Sequence, residues 1–337
     1  MKKRLFSVII LIVFIINPSH KKLFAQSGEK VFEFLNFPSS VYSNAVGGMN
    51  VSSNKNDISL TFQNPALLSE LMHNNLNVNY LFYVADIGAG NAIYGKAINE
   101  LSNWAIGVNF MNYGQFTETT PENTSTGTFS GKDIALNGFY SRRLSDYWSG
   151  GVTAKFIYSA FAEYNSTALG VDMGLSYQNP DKLWHFGLAV SNVGAQISAY
   201  DQERVAMPWN ITMGLSKELE HAPIRFSLTA THLNKWKLNK LDTENNAIEE
   251  NENFGTTLMH HLIFGVDIQP TENFWIGLGY NPKRASDMRL LQGNRLSGFS
   301  AGAGLKVRRF GFGFAVSQYH PSATTLHFDV NVLLGRM

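Results

Sequence analysis

A transmembrane outer-membrane β-barrel of about fourteen antiparallel strands, with an N-terminal hatch in its lumen, is the fold this sequence predicts. Three observations carry it. Of the 337 residues, 13% are aromatic and only 16% are charged, whereas a soluble domain usually carries about 25% charged residues. No apolar run in the chain reaches the roughly 17–25 residues that a spanning helix needs. From residue 75 onward, apolar and small polar residues alternate with period two, segment after segment.

The N-terminus reads as a secretory signal peptide over residues 1–25. Met1–Arg4 is basic, Leu5–Ile16 is apolar apart from Ser7, and Ala25 supplies a small residue at the exit. These 25 residues hold five Lys/Arg and no Asp/Glu, so the remainder has 22 basic and 26 acidic groups, a net charge of about −4. That balance excludes a nucleic-acid partner, which demands a basic face. The chain has no cysteine, which excludes a disulfide scaffold, a thiolate metal site, a thiol nucleophile and a lipidated N-terminal cysteine.

Residues 26–74 form a second unit. Pro38, Gly47, Gly48 and Pro65 break any regular pattern, while Val31, Phe32, Phe34, Leu35 and Phe37 are too apolar for a solvated tail. A hatch inside the lumen satisfies both features. The barrel then occupies residues 75–337.

Its first strand sets the rule. Leu76, Val78, Tyr80, Phe82 and Val84 share one face, opposite Asn75, Asn77 and Asn79. The same reading puts Leu169, Val171, Met173, Leu175 and Tyr177 outward and Gly170, Asp172, Gly174 and Ser176 inward. Phe299–Val307, Phe310–Ser317 and Leu326–Leu334 repeat it. Segments centre near residues 80, 94, 108, 138, 154, 172, 187, 213, 228, 263, 277, 301, 314 and 330. About 19 residues per segment accommodate a ~10-residue spanning strand and a connection.

The connections alternate in length. Short ones lie near residues 99–103, 145–147, 179–182, 220–223, 269–273 and 308–309, and longer ones span 114–131, 194–206, 235–255 and 281–293. Barrels of this kind have short periplasmic turns and long outer loops, so the long connections are expected at the cell surface. Trp104, Trp148, Trp184 and Trp275 each follow a short turn, where an interfacial aromatic girdle belongs. Trp275 alone has inward parity, although its neighbour Phe274 points out. A soluble β-sandwich core is the competing reading, but it gives no reason to place four Trp at one type of turn.

Chemistry is sparse. Asp242, Glu244, Glu249, Glu250 and Glu252 crowd one long connection beside Trp236. They read as a solvated acidic loop and a candidate partner-binding surface. A calcium site is the alternative, but the EF-hand spacing is absent. His260 and His261 are read as strand neighbours pointing to opposite faces, so they do not converge on one metal. His185, His232, His261 and His327 are scattered with no nucleophile motif. No cofactor or metal is expected, and no enzymatic activity. Inward positions rich in Gly, Ser and Asn leave room in the lumen for water or a plug.

One series of motifs is more specific. Phe32–Ser40 (FEFLNFPSS), Ala45–Gly48 (AVGG), Val51-Ser52, Asp57 and Gln63–Leu68 (QNPALL) resemble, in order, the N-terminal region of the PorV/PorQ family, outer-membrane barrels of the Bacteroidota type IX secretion system. The resemblance continues through Asn112–Phe116, Ser191–Ile197, Pro208 and Asn234–Trp236, and covers nearly the whole exported chain. Asn64-Pro65-Ala66 alone is shared with the wider fatty-acid-transporter-like barrel superfamily. The resemblance implies a hatch built on Gly47, Gly48, Asn64, Pro65 and Ala66, read as elements of shape. It further implies a non-enzymatic anchor holding a PorZ-like surface protein through outer loops. Its setting would be an attachment complex with a PorU-like sortase, a PorV-like shuttle and outer-membrane lipopolysaccharide. Two other functions compete: a transport barrel for hydrophobic small molecules such as fatty acids, and an open diffusion porin.

Overall fold

The computed structural model describes residues 31–335, apart from 54, 85, 120–124, 201–203, 237, 239, 242–246, 249–252, 291–296 and 321–322. The signal segment and the five acidic residues of the candidate partner loop (Asp242, Glu244, Glu249, Glu250 and Glu252) lie outside the described residues.

Fourteen strands close an antiparallel barrel. In chain order they are β1 (Asn75–Phe82), β2 (Gly88–Asn99), β3 (Ser102–Thr119), β4 (Ser125–Arg143), β5 (Trp148–Phe161), β6 (Tyr164–Asn179), β7 (Trp184–Ser198), β8 (Asn210–Glu218) and β9 (Ile224–Ala230). A two-residue ribbon, β10 (Lys240–Leu241) with β11 (Ala247–Ile248), stands apart. The wall resumes with β12 (Leu262–Thr271), β13 (Phe274–Tyr280), β14 (Phe299–Val307), β15 (Phe310–His320) and β16 (Ala323–Leu333). β1 pairs with β16 from Asn75↔Leu333 to Phe82↔Leu326, which closes the cylinder. Period-two alternation decides which side each residue faces: Val78, Tyr80 and Phe82 are exposed on the outer face, while Asn75, Asn77 and Asn79 are buried inside.

Three connections differ from the sequence expectation. Within the expected 114–131 loop, residues 114–119 and 125–131 are the continuation of β3 and β4 beyond their neighbours. β2 pairs with β3 only as far as Asn112, and β5 with β4 only as far as Gly131. A bulge at Asn112/Gln115, where Gly114 adopts φ 76°, marks where the ribbon leaves the wall. Extra twist at a bulge is what bends a strand pair away from a sheet. The connection after β13 contains a helix, Pro282–Leu290. His260-His261 lies in the last turn of a helix, Phe254–His261, rather than on a strand. The pair follows Thr256, Thr257, Leu258 and Met259, a stretch with neither strict alternation nor a breaker, and the helix yields to β12 only at Leu262.

Residues 33–72 fold into five short helices inside the barrel: Glu33–Asn36, Val41–Ala45, Ile58–Phe62, Pro65–Leu67 and Glu70–Met72. Their starts follow capping chemistry. Ser40 Oγ accepts from Ser43 N at 3.2 Å, Asp57 Oδ1 from Ser59 N at 3.0 Å and Asn64 Oδ1 from Ala66 N at 3.0 Å. Each satisfies an amide that the first turn leaves orphaned. Pro65 at the first helical position loses nothing by lacking an N–H.

Candidate functional site

The hatch approaches the wall closely at inward-facing glycines. Space left by small inward residues is therefore filled by the chain itself. The Asn64-Pro65-Ala66 turn rests against Gly151 of β5 and Gly174 of β6: a Cβ on Gly151 would stand 2.3 Å from the Pro65 carbonyl carbon, and one on Gly174 2.0 Å from Asn64 Oδ1. Asn64 Nδ2 donates to Val51 O at 2.8 Å and to Leu175 O at 3.3 Å, tying the turn to the hatch and to β6. Val51-Ser52 lies against Gly187 of β7 and Gly214 of β8. Val46-Gly47 presses on Gly265 of β12 and Gly279 of β13. Gly47 and Gly48 adopt φ 113° and 109°, backbone geometry that glycine takes without steric cost.

A buried charge network fastens the hatch at the short-turn end. Lys55 Nζ sits 3.2 Å from Asp267 Oδ2 of β12 and donates to Gln269 Oε1 at 3.2 Å. Tyr42 OH donates to Asp267 Oδ1 at 2.6 Å. Arg225 of β9 binds Glu218 at 3.1 Å and donates to Ser53 Oγ at 3.2 Å. Burial pushes the Lys55 ammonium down to about 8, against the pull of Asp267. The folded-state value lies below the unfolded one near 10.5. The unfolded chain therefore holds a proton that the folded chain has lost between those limits, and stability rises with pH across that window. Denaturant midpoints of wild type minus Lys55→Met should climb from pH 8 to pH 10.5; a flat difference would mean that Lys55 is solvated.

Cavities of about 520 and 580 Å³ lie at this end, and both touch Lys55 and Glu218. Deeper in, the gaps beside Phe37 measure about 30 and 20 Å³, room for about one water each. Planar-bilayer recording of the wild-type barrel should therefore be silent. Steady conductance would restore the porin reading.

The other half of the lumen is different in kind. Apolar inward residues gather there, Ala89, Met111, Ala135, Ile157 and Ala168, joined by Met207 from the β7–β8 connection, with Asp133, Ser159 and Ser166 buried beside them. Phe32 and Phe34 fill this chamber, and Leu35, Phe37 and Tyr113 pack around it. Phe32 holds φ 62°, a left-handed conformation that costs a residue with Cβ roughly 1–2 kcal/mol. Each ring regains about 1.5–3 kcal/mol on burial, so the segment is held by its rings against backbone strain. The chamber was missed at the sequence level, although Met111 and Ile157 at inward parity were its signal.

Trp104, Trp148 and Trp184 are exposed on the outer face beside short turns. Trp275 turns inward, as its parity requires, and meets Tyr42 edge-on at 5.3 Å, with Lys55 Nζ 5.1 Å from its ring. It belongs to the hatch contact, not to a lipid-facing girdle. Brominated lipid should quench single-Trp variants retaining Trp104, Trp148 or Trp184 and spare one retaining Trp275; equal quenching would refute this placement. Trp236 stacks on His261 and Phe254, each at 5.3 Å. His261 faces two carbonyls, Thr231 O at 2.7 Å and Trp236 O at 3.0 Å. Among the described residues, no group of three or more His, Asp or Glu is placed to hold a metal.

These features define a hatched fourteen-strand barrel with a polar latch at one end and an apolar chamber at the other. The same fold is found in the Pseudomonas putida toluene transporter TodX, 12% identical over 88% of this chain and 96% of that one, with a TM-score of 0.52. A Pseudomonas aeruginosa FadL homologue is 13% identical over 88% and 98%, with a TM-score of 0.54. A TodX deltaS2S3 mutant, titled a monoaromatic hydrocarbon channel, is 12% identical over 87% and 96%, with a TM-score of 0.52. No protein-family model and no curated protein sequence matches the chain. The expectation of a type IX secretion component that anchors a PorZ-like protein is corrected here. The fold is that of FadL- and TodX-like barrels.

Proposed function

We propose that this chain is an outer-membrane uptake barrel for hydrophobic small molecules. The observation that carries the reading is the apolar chamber in which Met111, Ile157 and Met207 meet the rings of Phe32 and Phe34. A small hydrophobic molecule would take the volume that Phe32 and Phe34 now fill, since binding sites of this kind are apolar and largely preformed. The neighbours named as toluene and hydrocarbon carriers support the same reading. In this account the long-connection end faces the cell surface and receives the molecule, and the polar cavities around Lys55 lie on the periplasmic side.

The test is uptake of radiolabelled toluene by a bacterial host lacking its own hydrophobic-uptake barrel. Expression of this chain should raise the initial rate several-fold over an empty vector. Removing both rings (Phe32→Ala with Phe34→Ala) should tighten toluene binding to the purified barrel. Unchanged uptake in cells that carry the folded barrel would defeat the proposal.

A further inference from the structure

The helix Phe254–His261 is folded inside out. It buries Thr257, His260 and His261 and exposes Phe254, Leu258 and Met259. Phe254 is 69% exposed, and the segment holds no Asp, Glu, Lys or Arg. A helix on a water-facing loop turns its apolar stripe inward and its polar face out. Position at this end of the barrel does not impose the inversion, because the helix Pro282–Leu290 packs beside it and carries Lys283, Arg284 and Asp287. The inversion is the one that the wall itself shows, polar inside and apolar outside.

The apolar face runs on from the lipid-facing wall. The helix passes into β12 at Leu262, and Thr231 N, just past β9, donates to His261 O at 2.9 Å. Trp236 is exposed and stacks on Phe254 and His261. Leu233 N donates to Ile211 O of β8 at 3.1 Å, and the Leu233 side chain is exposed. Beneath them Met213 of β8, Leu228 of β9 and Phe264 of β12 are exposed on the outer face. The strands on this side are also short. β8 has 9 residues and β9 has 7, whereas β5, β6 and β7 have 14, 16 and 15. Seven residues at ~3.3 Å each, tilted by ~40°, rise about 18 Å, less than the ~25 Å apolar band of such a barrel. An apolar surface is needed above β9, and the helix stands there.

We propose that the helix Phe254–His261, with Leu233 and Trp236, is an interfacial element whose partner is the membrane itself. Its exposed face lies among the acyl chains just beneath the head groups, as amphipathic helices do at a bilayer surface. It completes the lipid-facing wall above β8 and β9. Trp236 then faces lipid, not a protein partner. Nothing in this assignment depends on what the barrel carries.

The chain has no cysteine, so one introduced thiol takes a nitroxide label at a single site. Labelled whole barrels in lipid nanodiscs are compared by collision of the nitroxide with oxygen, which concentrates in lipid, and with nickel-EDDA, which stays in water. Leu258→Cys and Met259→Cys report on the helix, Met213→Cys on the wall and Thr126→Cys on the β3–β4 ribbon; all of these positions are exposed. The oxygen-to-nickel ratio at Leu258→Cys and Met259→Cys should match that at Met213→Cys and exceed that at Thr126→Cys several-fold. A ratio like that at Thr126→Cys would overturn the proposal and leave the patch open to a soluble partner. Low collision with both reagents would overturn it too, since protein would then cover the face. The two helix positions are labelled independently, so a poorly folded variant at one leaves the other to decide.

Discussion

A barrel carrying Gly174→Val together with Gly187→Val should insert and fold, yet conduct ions. The two glycines are seats for the hatch. Cβ atoms there would stand 2.0 Å from Asn64 Oδ1 and 1.9 Å from Val51 O, distances that no side-chain rotation relieves at Val51, where the obstacle is backbone. Overpacking of this kind costs about 1–3 kcal/mol at each site. The strain falls on the hatch rather than on the wall, because strand pairing is continuous around the cylinder and Gly174 pairs through its backbone with Gly151 and Ala189. The expected result is a heat-modifiable band on gels, as for wild type, with steady current in planar bilayers where wild type gives none. A silent double variant that still folds would mean that these glycines are not seats.

The second large effect belongs to Asp267. Its carboxylate receives Tyr42 OH, faces Lys55 at 3.2 Å and lies 3.9 Å from Arg225 Nε. Asp267→Ala strands the buried Lys55 ammonium and leaves Arg225 with Glu218 alone. Losing one partner of a buried pair costs about 3–5 kcal/mol, far above the median of an exposed pair. The loss should appear first as release of the hatch at the short-turn end. Trypsin should then cut after Lys55 in the folded Asp267→Ala barrel and leave wild type intact, and Asp267→Glu should restore most of the protection. Equal resistance of wild type and Asp267→Ala would show that the glycine seats hold the hatch unaided.

Much of the wall was legible because lipid enforces one rule on every strand. Val78, Tyr80 and Phe82, or Phe310, Phe312 and Phe314, had to be apolar on one face, and the period followed. The hatch was legible as a break in that period, and Asn64-Pro65 as a turn, because proline constrains its neighbours locally. Contacts that depend on meeting across the lumen were not legible. Nothing near Gly174 reveals that Asn64 will rest on it, and nothing near Lys55 names Asp267, more than two hundred residues away. The ribbon of β3 and β4 was read as a loop because its residues leave the membrane, where alternation is no longer required. The helix carrying Arg284 was read as a loop for the same reason. The partner expected from the family resemblance rested on motifs spread from the hatch through the barrel, and such motifs constrain the fold more tightly than they constrain the cargo.

The most direct test of the central claim is a crystal structure of the barrel soaked with 1-bromooctane, read from the bromine anomalous signal. The account predicts a bromine peak in the chamber between Met111, Ala135 and Ile157, with Phe32 and Phe34 moved out. A chamber still filled by both rings, with bromine found only on the lipid-facing surface, would contradict it.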